Sequence, residues 1–270
     1  MRSRKDALCC DGSWRRFART LFGRKAQSLI TIVLLNWLRP KFAISNIEHY
    51  ARYPLVHSIL CFDNAGTLKG QTLPEKCILI ESSRDLGLYS RFAAGALAKT
   101  DAIFHTDDDL YLPEDSLELL FDAWMKAPQS CHGIFGRDVA KRYTGTRAYG
   151  RVEVLLTRAV ICGRAVNNHA LSNTIFFEDL RGQPDGNGED IILSFAAMEL
   201  AGELNYAHNL PVIEHSDGWR ERAGPNARPI HLRWPDHHAH RTRVVERARK
   251  LLRAKLDGDS DSHQREAKTD

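Results

Sequence analysis

Short apolar runs alternate with helical patterns over the first 110 residues of the chain. The runs SLITIVLL, LVHSILCF, KCILIESS and DAIFHT each have the length and composition of a buried strand. Residues 42–53 and 88–100, which lie between these runs, place apolar side chains at helical spacing. Strands and helices that alternate in this way predict a parallel sheet with helices packed against it.

A helix is predicted directly after the fourth strand. Pro113 ends that strand, and Asp115 with Glu118 predicts a capping box at the start of the helix. Its buried face is predicted to consist of Leu117, Leu120, Phe121 and Trp124.

The remaining pattern adds antiparallel strands and a further helix. Residues 131–139 and 149–162 predict two such strands joined by a loop. Residues 189–201 predict a helix that ends at Gly202. The predicted fold class is therefore α/β, with a mixed, mainly parallel central sheet flanked by helices.

Composition divides the chain into three regions. Residues 1–26 form a basic N-terminal extension, residues 27–255 the folded domain, and residues 256–270 a polar tail that we expect to be disordered. In the extension, SWRRFARTLFGRK carries apolar residues at helical spacing among five basic ones. Such a helix suits either peripheral contact with an anionic membrane or packing on the domain itself, and the sequence leaves both open.

Charge, cysteines and hydropathy indicate the cellular setting. The formal net charge of +4 arises from arginine-rich segments at 1–25 and 219–255, which suit an anionic ligand, although we expect no nucleic-acid partner. The six cysteines lack metal-type CxxC spacing, which predicts reduced thiols and a cytoplasmic protein. The longest apolar run, LITIVLL, is far shorter than the roughly 20 residues of a membrane span, and no signal-peptide cleavage pattern follows it. The oligomeric state is not indicated.

Three consecutive aspartates, Asp107, Asp108 and Asp109, stand directly behind the fourth predicted strand. Ligands of open α/β sheets bind at the carboxyl ends of the strands, which is where the triplet falls. Adjacent carboxylates repel one another, so a cation or a hydrogen-bonding ligand would stabilise them. In an extended backbone Asp107 and Asp109 point to one side, so one carboxylate can bind a metal ion while another accepts a sugar hydroxyl. A solvated turn explains the triplet taken alone equally well.

Glu189 and Asp190 open a predicted helix behind the glycine-containing loop QPDGNG. Asn187 suits the N-cap position, and acids suit the first helical turn, so capping explains these residues without a ligand. The glycines on both sides of Asn187 indicate instead a sharp bend of the chain beside a ligand. Both interpretations stay open at this point.

The segment HLRWPDHHAHRTR is dense in histidine and arginine. A zinc site made by His237, His238 and His240 is disfavoured, because adjacent side chains point apart on a helix. Binding of a phosphate by arginine is the more natural interpretation.

Taken in order, these features resemble the exostosin-like glycosyltransferase domain, glycosyltransferase family 64. The similar features are the strand LITIVLL followed by Arg39, CFDNAG, SRF ahead of DDD, the helix with Trp124, GNGEDIILSF and the final HRTR. Members of this family have the GT-A fold and transfer a sugar from a UDP-sugar with retention of configuration, using manganese. The resemblance implies a GT-A (Rossmann-like) fold, a UDP-sugar donor such as a UDP-N-acetylhexosamine, and a glycan or other acceptor.

The resemblance also implies roles for single residues. Asp109 is similar to the family's manganese ligand, and Asp107 and Asp108 to residues near the ribose and sugar of the donor. Within the same comparison, Asp190 is similar to the carboxylate beside the transferred sugar, and Arg241 to the arginine near the diphosphate.

Three further donor contacts follow from the resemblance. Asn64 and Arg91 are similar to residues that contact uridine or phosphate, and Arg39 is a weaker candidate for the same role. A departing diphosphate needs cations and a cationic sugar needs a carboxylate, so the implied set is chemically coherent.

This chain departs from the family pattern at three places. Gly87 replaces an asparagine-rich approach to Arg91, so it offers no side chain to the donor. Arg158 stands where relatives have a small glycine on the acceptor side, a change that would reshape the acceptor pocket or suit an acidic acceptor. Gly188 and Val244 stand where secreted relatives have two bridged cysteines, so we expect the domain to fold without a disulfide.

Two hypotheses compete with the enzyme. One is a noncatalytic sugar-nucleotide or glycan-binding protein on the same fold, which would have no need to keep Asp109, Asp190 and Arg241 together. The other is a protein that binds anionic surfaces through its basic N-terminus and the helix at 241–255.

Overall fold

The computed structural model describes residues 30–173, 187–215 and 235–266, with side chains described as far as Lys255. The predicted N-terminal extension and residues 174–186, which include most of the predicted glycine-containing loop, lie outside these residues. In chain order the elements are β1 (Ile30–Asn36), α1 (Pro40–Ala51), β2 (Val56–Asp63), β3 (Cys77–Glu81), α2 (Ser90–Gly95), β4 (Ala102–Asp107), β5 (Leu110–Tyr111), α3 (Glu114–Lys126), β6 (His132–Gly133), β7 (Gly136–Arg137), β8 (Arg147–Ala148), β9 (Gly150–Val152), β10 (Val154–Leu155), β11 (Ala159–Gly163), α4 (Arg164–Ser172), α5 (Glu189–Ala201), β12 (Asn205–Ala207), β13 (Ile213–Glu214) and α6 (His237–Glu266).

A mixed sheet forms the centre of the domain. Within the described residues its strand order is β3-β2-β1-β4-β11-β6-β12-β9. The neighbours from β3 to β4 are parallel, whereas β11 runs antiparallel to both β4 and β6. The predicted fold class, α/β with a large, mainly parallel sheet flanked by helices, is confirmed.

Strand β1 shows why the first apolar run predicted the sheet correctly. It pairs with β2 on one side and β4 on the other, and all seven of its residues are buried. Val33 and Leu35 join one hydrophobic core, while Ile30, Ile32 and Leu34 join the core on the opposite face. A strand covered on both faces needs a continuous apolar run, not an alternating one.

The register of the parallel strands places three loops at one edge. Asn36 at the end of β1 pairs with Asp63 at the end of β2, and Leu35 pairs with Asp107 at the end of β4. The segments that follow these strands therefore leave the sheet side by side.

Helix α3 confirms the predicted apolar face but not the predicted capping box. Leu117, Leu120, Phe121 and Trp124 are buried. The N-cap is Pro113, no side chain caps the helix, and Asp115 lies inside the first turn. The capping box is therefore wrong: a residue that is already helical cannot cap the helix, and Asp115 instead favours it through the helix dipole.

The predicted antiparallel strands are broken into short pieces. Residues 131–139 contain β6 and β7, which belong to two different sheets, and residues 149–162 contain β9, β10 and β11. Gly136 explains the tight packing here, because a Cβ at this position would lie 2.3 Å from the carbonyl oxygen of Ala148.

Helix α6 begins at His237 and continues to Glu266. It passes Lys255, the predicted end of the folded domain, so that boundary does not coincide with a helix end. The division of the chain into extension, domain and tail stays a prediction. None of the described helices is long and apolar enough to cross a membrane. Among the described cysteines, Cys61, Cys77, Cys131 and Cys162 are free.

Two adjacent leucines on α3 test the assignment of its buried face. Leu120→Ala should lower the free energy of unfolding by about 2–5 kcal/mol, since Leu120 is fully buried in the core. Leu119→Ala should change it by less than about 0.5 kcal/mol, because the Leu119 side chain is 56% exposed. Urea unfolding of both variants checks this, and equal losses would contradict the assignment.

Candidate active site

The acidic triplet lies where β4 ends. Asp107 is the last residue of the strand, and Asp108 and Asp109 form a turn before β5. Buried Asn46 on α1 holds this turn, donating from its amide nitrogen to the carbonyl oxygens of Asp108 (3.0 Å) and Leu110 (2.8 Å). The turn is therefore fixed by the core helix beneath it, and Asn46 is a supporting residue that the sequence pattern did not single out.

Three arginines from three segments compensate the three aspartates. Arg91 on α2 pairs with Asp107, with its Nη2 2.7 Å from Oδ1. Arg39, which precedes α1, contacts Asp108 and also Asp109, the latter at 2.9 Å.

Arg158 completes this compensation by pairing with Asp109 at 3.2 Å. The cationic partner that like charges require is therefore supplied by the protein itself.

Asp108 and Asp109 differ in their protonation. Burial raises the pKa of the Asp108 carboxyl to about 7, although Arg39 and the Trp37 backbone N–H favour its charged form. Burial acts in the same direction on Asp109, but Arg158 and Arg39 outweigh it and lower the pKa of Asp109 to about 2. Asp109 is therefore the fully ionised member of this pair at neutral pH. Its side chain is 24% exposed, whereas that of Asp108 is buried.

A strained backbone accompanies Arg39. Leu38, the residue before it, has a φ of 61°, the one positive φ among the described residues other than glycine. Such a conformation costs energy in a residue with a Cβ and tends to occur at functional sites. Here it lies in the loop that brings Arg39 to the triplet.

A polar chain connects the triplet to a second buried cluster. Arg91 donates from Nη1 to the carbonyl oxygen of Thr157 at 2.9 Å. The Thr157 hydroxyl then donates to Oε1 of Glu189 at 2.7 Å. Through Arg91 and Thr157, the aspartates after β4 and the acids at the start of α5 belong to one network.

The second cluster is built around a buried ion pair. Asp190 at the start of α5 pairs with Arg241 on α6, and both side chains are about 5% exposed or less. Arg241 also donates to Oδ1 of Asn187 at 2.8 Å, and its guanidinium lies 4.3 Å from the centre of the Tyr143 ring. The two residues that were predicted to act together are therefore in direct contact.

Asn187 has a different role from the one that capping predicts. The N-cap of α5 is Gly188, with no side-chain hydrogen bond, and its φ of 120° favours glycine. Asn187 instead accepts from Arg241 and bonds to the His237 ring at 3.0 Å. Capping by Asn187 is wrong, because its amide faces α6 and not the helix that follows it.

Glu189 is the titratable group that the sequence interpretation left without a role of its own. It is buried, and its Oε2 accepts from the Gly188 backbone N–H at 3.3 Å. Burial and the neighbouring Asp190 raise the pKa of Glu189 to about 7, against the effect of Arg91 and Arg241. Its position next to Asp190 at the start of a predicted helix is the sequence signal that could have identified it.

Asn64 follows β2 and fixes a neighbouring loop. Its amide donates to the Gly87 carbonyl at 3.1 Å and to the Ser90 hydroxyl at 3.3 Å, and it accepts from the Leu86 N–H at 3.1 Å. Gly87 has a φ of 76°, a conformation that favours glycine. The backbone turn therefore explains why this position has no side chain to offer to a donor. Asn64 thus lies beside α2, the helix of Arg91.

Two histidines at the start of α6 contact Asn187, which lies just before α5. His237 bonds to Asn187, and His240 approaches the Asn187 carbonyl at 3.3 Å. Among the residues that the structure describes, no group of three or more His, Cys, Asp or Glu is placed to hold a metal ion.

Comparison with known protein families decides where the chain belongs. The family model described as "Glycosyl transferase family 64 domain" matches residues 30–254, which is most of the chain. The chain belongs to glycosyl transferase family 64. The family 64 domain therefore includes both the aspartate triplet and the Asp190–Arg241 pair.

Two curated relatives agree with this assignment. An exostosin-like-3 homolog of Caenorhabditis elegans is 25% identical over 197 residues, covering 70% of this chain and 24% of that protein. A glucosamine inositolphosphorylceramide transferase 1 of Arabidopsis thaliana is 24% identical over 169 residues, covering 58% of this chain and 21% of that protein. The chain spans about a quarter of the length of the curated relatives it matches.

Among solved structures, the crystal structure of S. aureus TarS 1–349 is similar with a TM-score of 0.46 and 11% identity. The match covers 72% of this chain and 63% of that one.

The family resemblance implies manganese, and Asp109 is the residue that would bind it. An ionised carboxylate is a hard oxygen donor of the kind that this metal accepts. However, Oδ2 of Asp109 faces Arg39 and Oδ1 faces Arg158. A metal ion at Asp109 therefore requires that one arginine moves and that a bound ligand supplies further oxygen donors.

The raised pKa of Glu189 predicts a specific pH dependence of stability. Between its ordinary value of 4.5 and about 7, the folded protein keeps a proton that the unfolded chain releases. This contribution to stability is present below pH 4.5 and is lost as the pH rises to 7. Glu189→Gln is always neutral, so its free energy of unfolding should rise relative to wild type by about 2 kcal/mol between pH 5 and pH 8.

Chemical denaturation at the two pH values measures this difference. Glu48→Gln, the same exchange on the exposed face of α1, is the control and should follow wild type at both values. A constant difference between Glu189→Gln and wild type would show that folding does not raise the pKa of Glu189.

Proposed function

We propose that the chain is a retaining glycosyltransferase that moves a sugar from a UDP-sugar to a glycan or another acceptor. The observation that carries this proposal is the buried pair of Asp190 and Arg241, joined through Glu189, Thr157 and Arg91 to the carboxyl edge of the sheet. A binding protein has no need of a buried carboxylate and guanidinium in contact, whereas glycosyl transfer uses one of each.

The two charges match the two charges that glycosyl transfer develops. As the bond to the diphosphate breaks, the sugar gains positive charge and the leaving group gains negative charge. Asp190 offers a carboxylate to the first, and Arg241 offers a planar fork of N–H donors suited to the second. A buried site strengthens both interactions relative to water.

The remaining predicted residues would hold the donor. Arg39, Arg91 and the triplet line the carboxyl edge of the sheet, where α/β proteins bind their ligands. Asp107 and Asp108 would lie near the ribose and sugar. Asn64 would contact the uridine or a phosphate, and its hydrogen bonds to Gly87 and Ser90 also hold the loop before Arg91.

Manganese dependence is part of the proposal. Asp109 would hold the ion, which supplies positive charge to the leaving diphosphate when bound.

The proposal extends to the class of donor sugar and of acceptor. An N-acetylhexosamine or a similar sugar is the donor class we propose, and the Arabidopsis thaliana relative, whose name includes glucosamine, agrees with an amino sugar. That name also includes an inositolphosphorylceramide, so glycolipids belong among the acceptors to be tested. A cytoplasmic location and peripheral membrane contact through residues 1–26 stay predictions.

Release of UDP tests the proposal against its alternative. The chain is incubated with a panel of UDP-sugars and with oligosaccharide and glycolipid acceptors, in manganese and in EDTA. Turnover of one donor supports the enzyme, whereas UDP binding with no turnover of any donor supports the noncatalytic binding protein.

Asp190→Asn should lower kcat by about a hundredfold or more with a smaller effect on the donor KM, because its charge acts mainly in the transition state. It should also lower stability by about 3–5 kcal/mol, since Arg241 then keeps a buried charge without its counterion.

Leu120→Ala is the control for lost stability, because it perturbs the core without changing any group of the site. It should keep a kcat near wild type under conditions where both variants are folded. If Asp190→Asn shows the same kcat as Leu120→Ala, Asp190 has no catalytic role.

A further inference from the structure

Arg158 is held opposite the acidic triplet by the sheet itself. It precedes β11, which pairs with β4 from Ala159 opposite Thr106. The backbone N–H of Asp107 donates to the carbonyl oxygen of Arg158 at 3.3 Å. The position of Arg158 relative to the triplet is therefore set by strand register and not by a mobile loop.

The guanidinium of Arg158 is also oriented by its surroundings. It lies 4.8 Å from the centre of the Phe135 ring, and its Nη1 donates to Oε1 of Glu214 at 3.3 Å. Its Nη2 donates to Oδ1 of Asp109 at 3.2 Å. These bonds use two of the five N–H groups of the side chain, which leaves donors for a ligand.

Arg158 is the more exposed of the two arginines that pair with Asp109. Oδ2 of Asp109 faces Arg39, whose side chain is 6% exposed and also binds Asp108. Oδ1 faces Arg158, whose side chain is 28% exposed. A divalent ion that approaches from the open side therefore meets a guanidinium already bonded to its candidate ligand.

The balance of fixed charges at the end of β4 also disfavours a further cation. Three aspartates meet three arginines at the end of β4, so the triplet carries little uncompensated charge to attract a further cation. Without Arg158 the three aspartates would share only the guanidinium groups of Arg39 and Arg91.

We propose that Arg158 serves as a built-in cation at Asp109: it competes with a divalent metal ion for Oδ1 and binds the donor diphosphate with its remaining N–H groups. Binding of UDP then needs manganese only weakly, and the manganese dependence proposed above belongs to the transfer of the sugar. This inference rests on the proposed function, since it takes UDP as the nucleotide that occupies the site. A guanidinium suits this role because it stays charged and can bind a phosphate oxygen while it bonds to a carboxylate.

Calorimetric titration with UDP, in EDTA and in MnCl2, measures the metal requirement directly and does not depend on turnover. Wild type should bind UDP with affinities that differ by less than about threefold between the two buffers. Arg158→Ala should lose about tenfold or more in EDTA, as expected for the loss of a charged hydrogen bond. Manganese should restore most of that loss in the variant.

Arg147→Ala is the matched control. Arg147 also lies on the Phe135 ring, at 4.6 Å, and also pairs with Glu214, at 3.7 Å, but it has no bond to Asp109. Its removal should leave the affinity for UDP unchanged in both buffers. Arg158→Gln keeps a long polar side chain without charge and replaces Arg158→Ala if the alanine variant does not fold.

A second readout follows the metal itself. Electron paramagnetic resonance of free Mn²⁺ should show tighter metal binding to Arg158→Ala with UDP than to wild type with UDP. If wild type binds UDP only with manganese and Arg158→Ala binds the metal no more tightly, the inference is wrong while the proposed function stands. If wild type binds UDP in neither buffer, the proposed function and this inference both fail.

Discussion

Mutual repulsion of three adjacent carboxylates is the constraint that organises this domain. The strand that ends in Asp107 brings the charges together, and each is met by an arginine from another part of the chain: Arg39 before α1, Arg91 on α2 and Arg158 before β11. None of these arginines is near another in sequence. Their convergence fixes three segments against the carboxyl edge of the sheet, so the electrostatics of the site and the arrangement of the fold depend on each other.

Much of the fold could be predicted because its signals are local. A strand buried on both faces, such as β1, needs a continuous apolar run, and the run is visible in the sequence. The buried face of α3 follows from its spacing in the same way. The broken strands between Cys131 and Cys162 could not be predicted, since their sheet membership is set by close approaches such as that of Gly136 to Ala148, which are tertiary.

In the candidate site, too, the features with a local sequence signal could be predicted and the long-range pairings could not. Asp107, Asp108, Asp109, Asp190 and Arg241 were identified because motifs and a family resemblance carry them, and the structure brings Asp190 and Arg241 into contact. Which arginine meets which aspartate has no local signal, because the partners are up to about 70 residues apart. Asn187 was misassigned for the same reason: its partner lies on α6, 54 positions later.

The contact between Asp190 and Arg241 has a consequence for how the protein is made. Synthesis proceeds from the N-terminus, so β1, β4 and the start of α5 leave the ribosome before α6 does. Until α6 arrives, Asp190 lacks its guanidinium and Tyr143 lacks the cation that covers its ring. The Asp190–Arg241 pair can therefore form only after α6 has been synthesised, whereas Arg39, Arg91 and Arg158 precede α5 in the chain and are available to the triplet earlier.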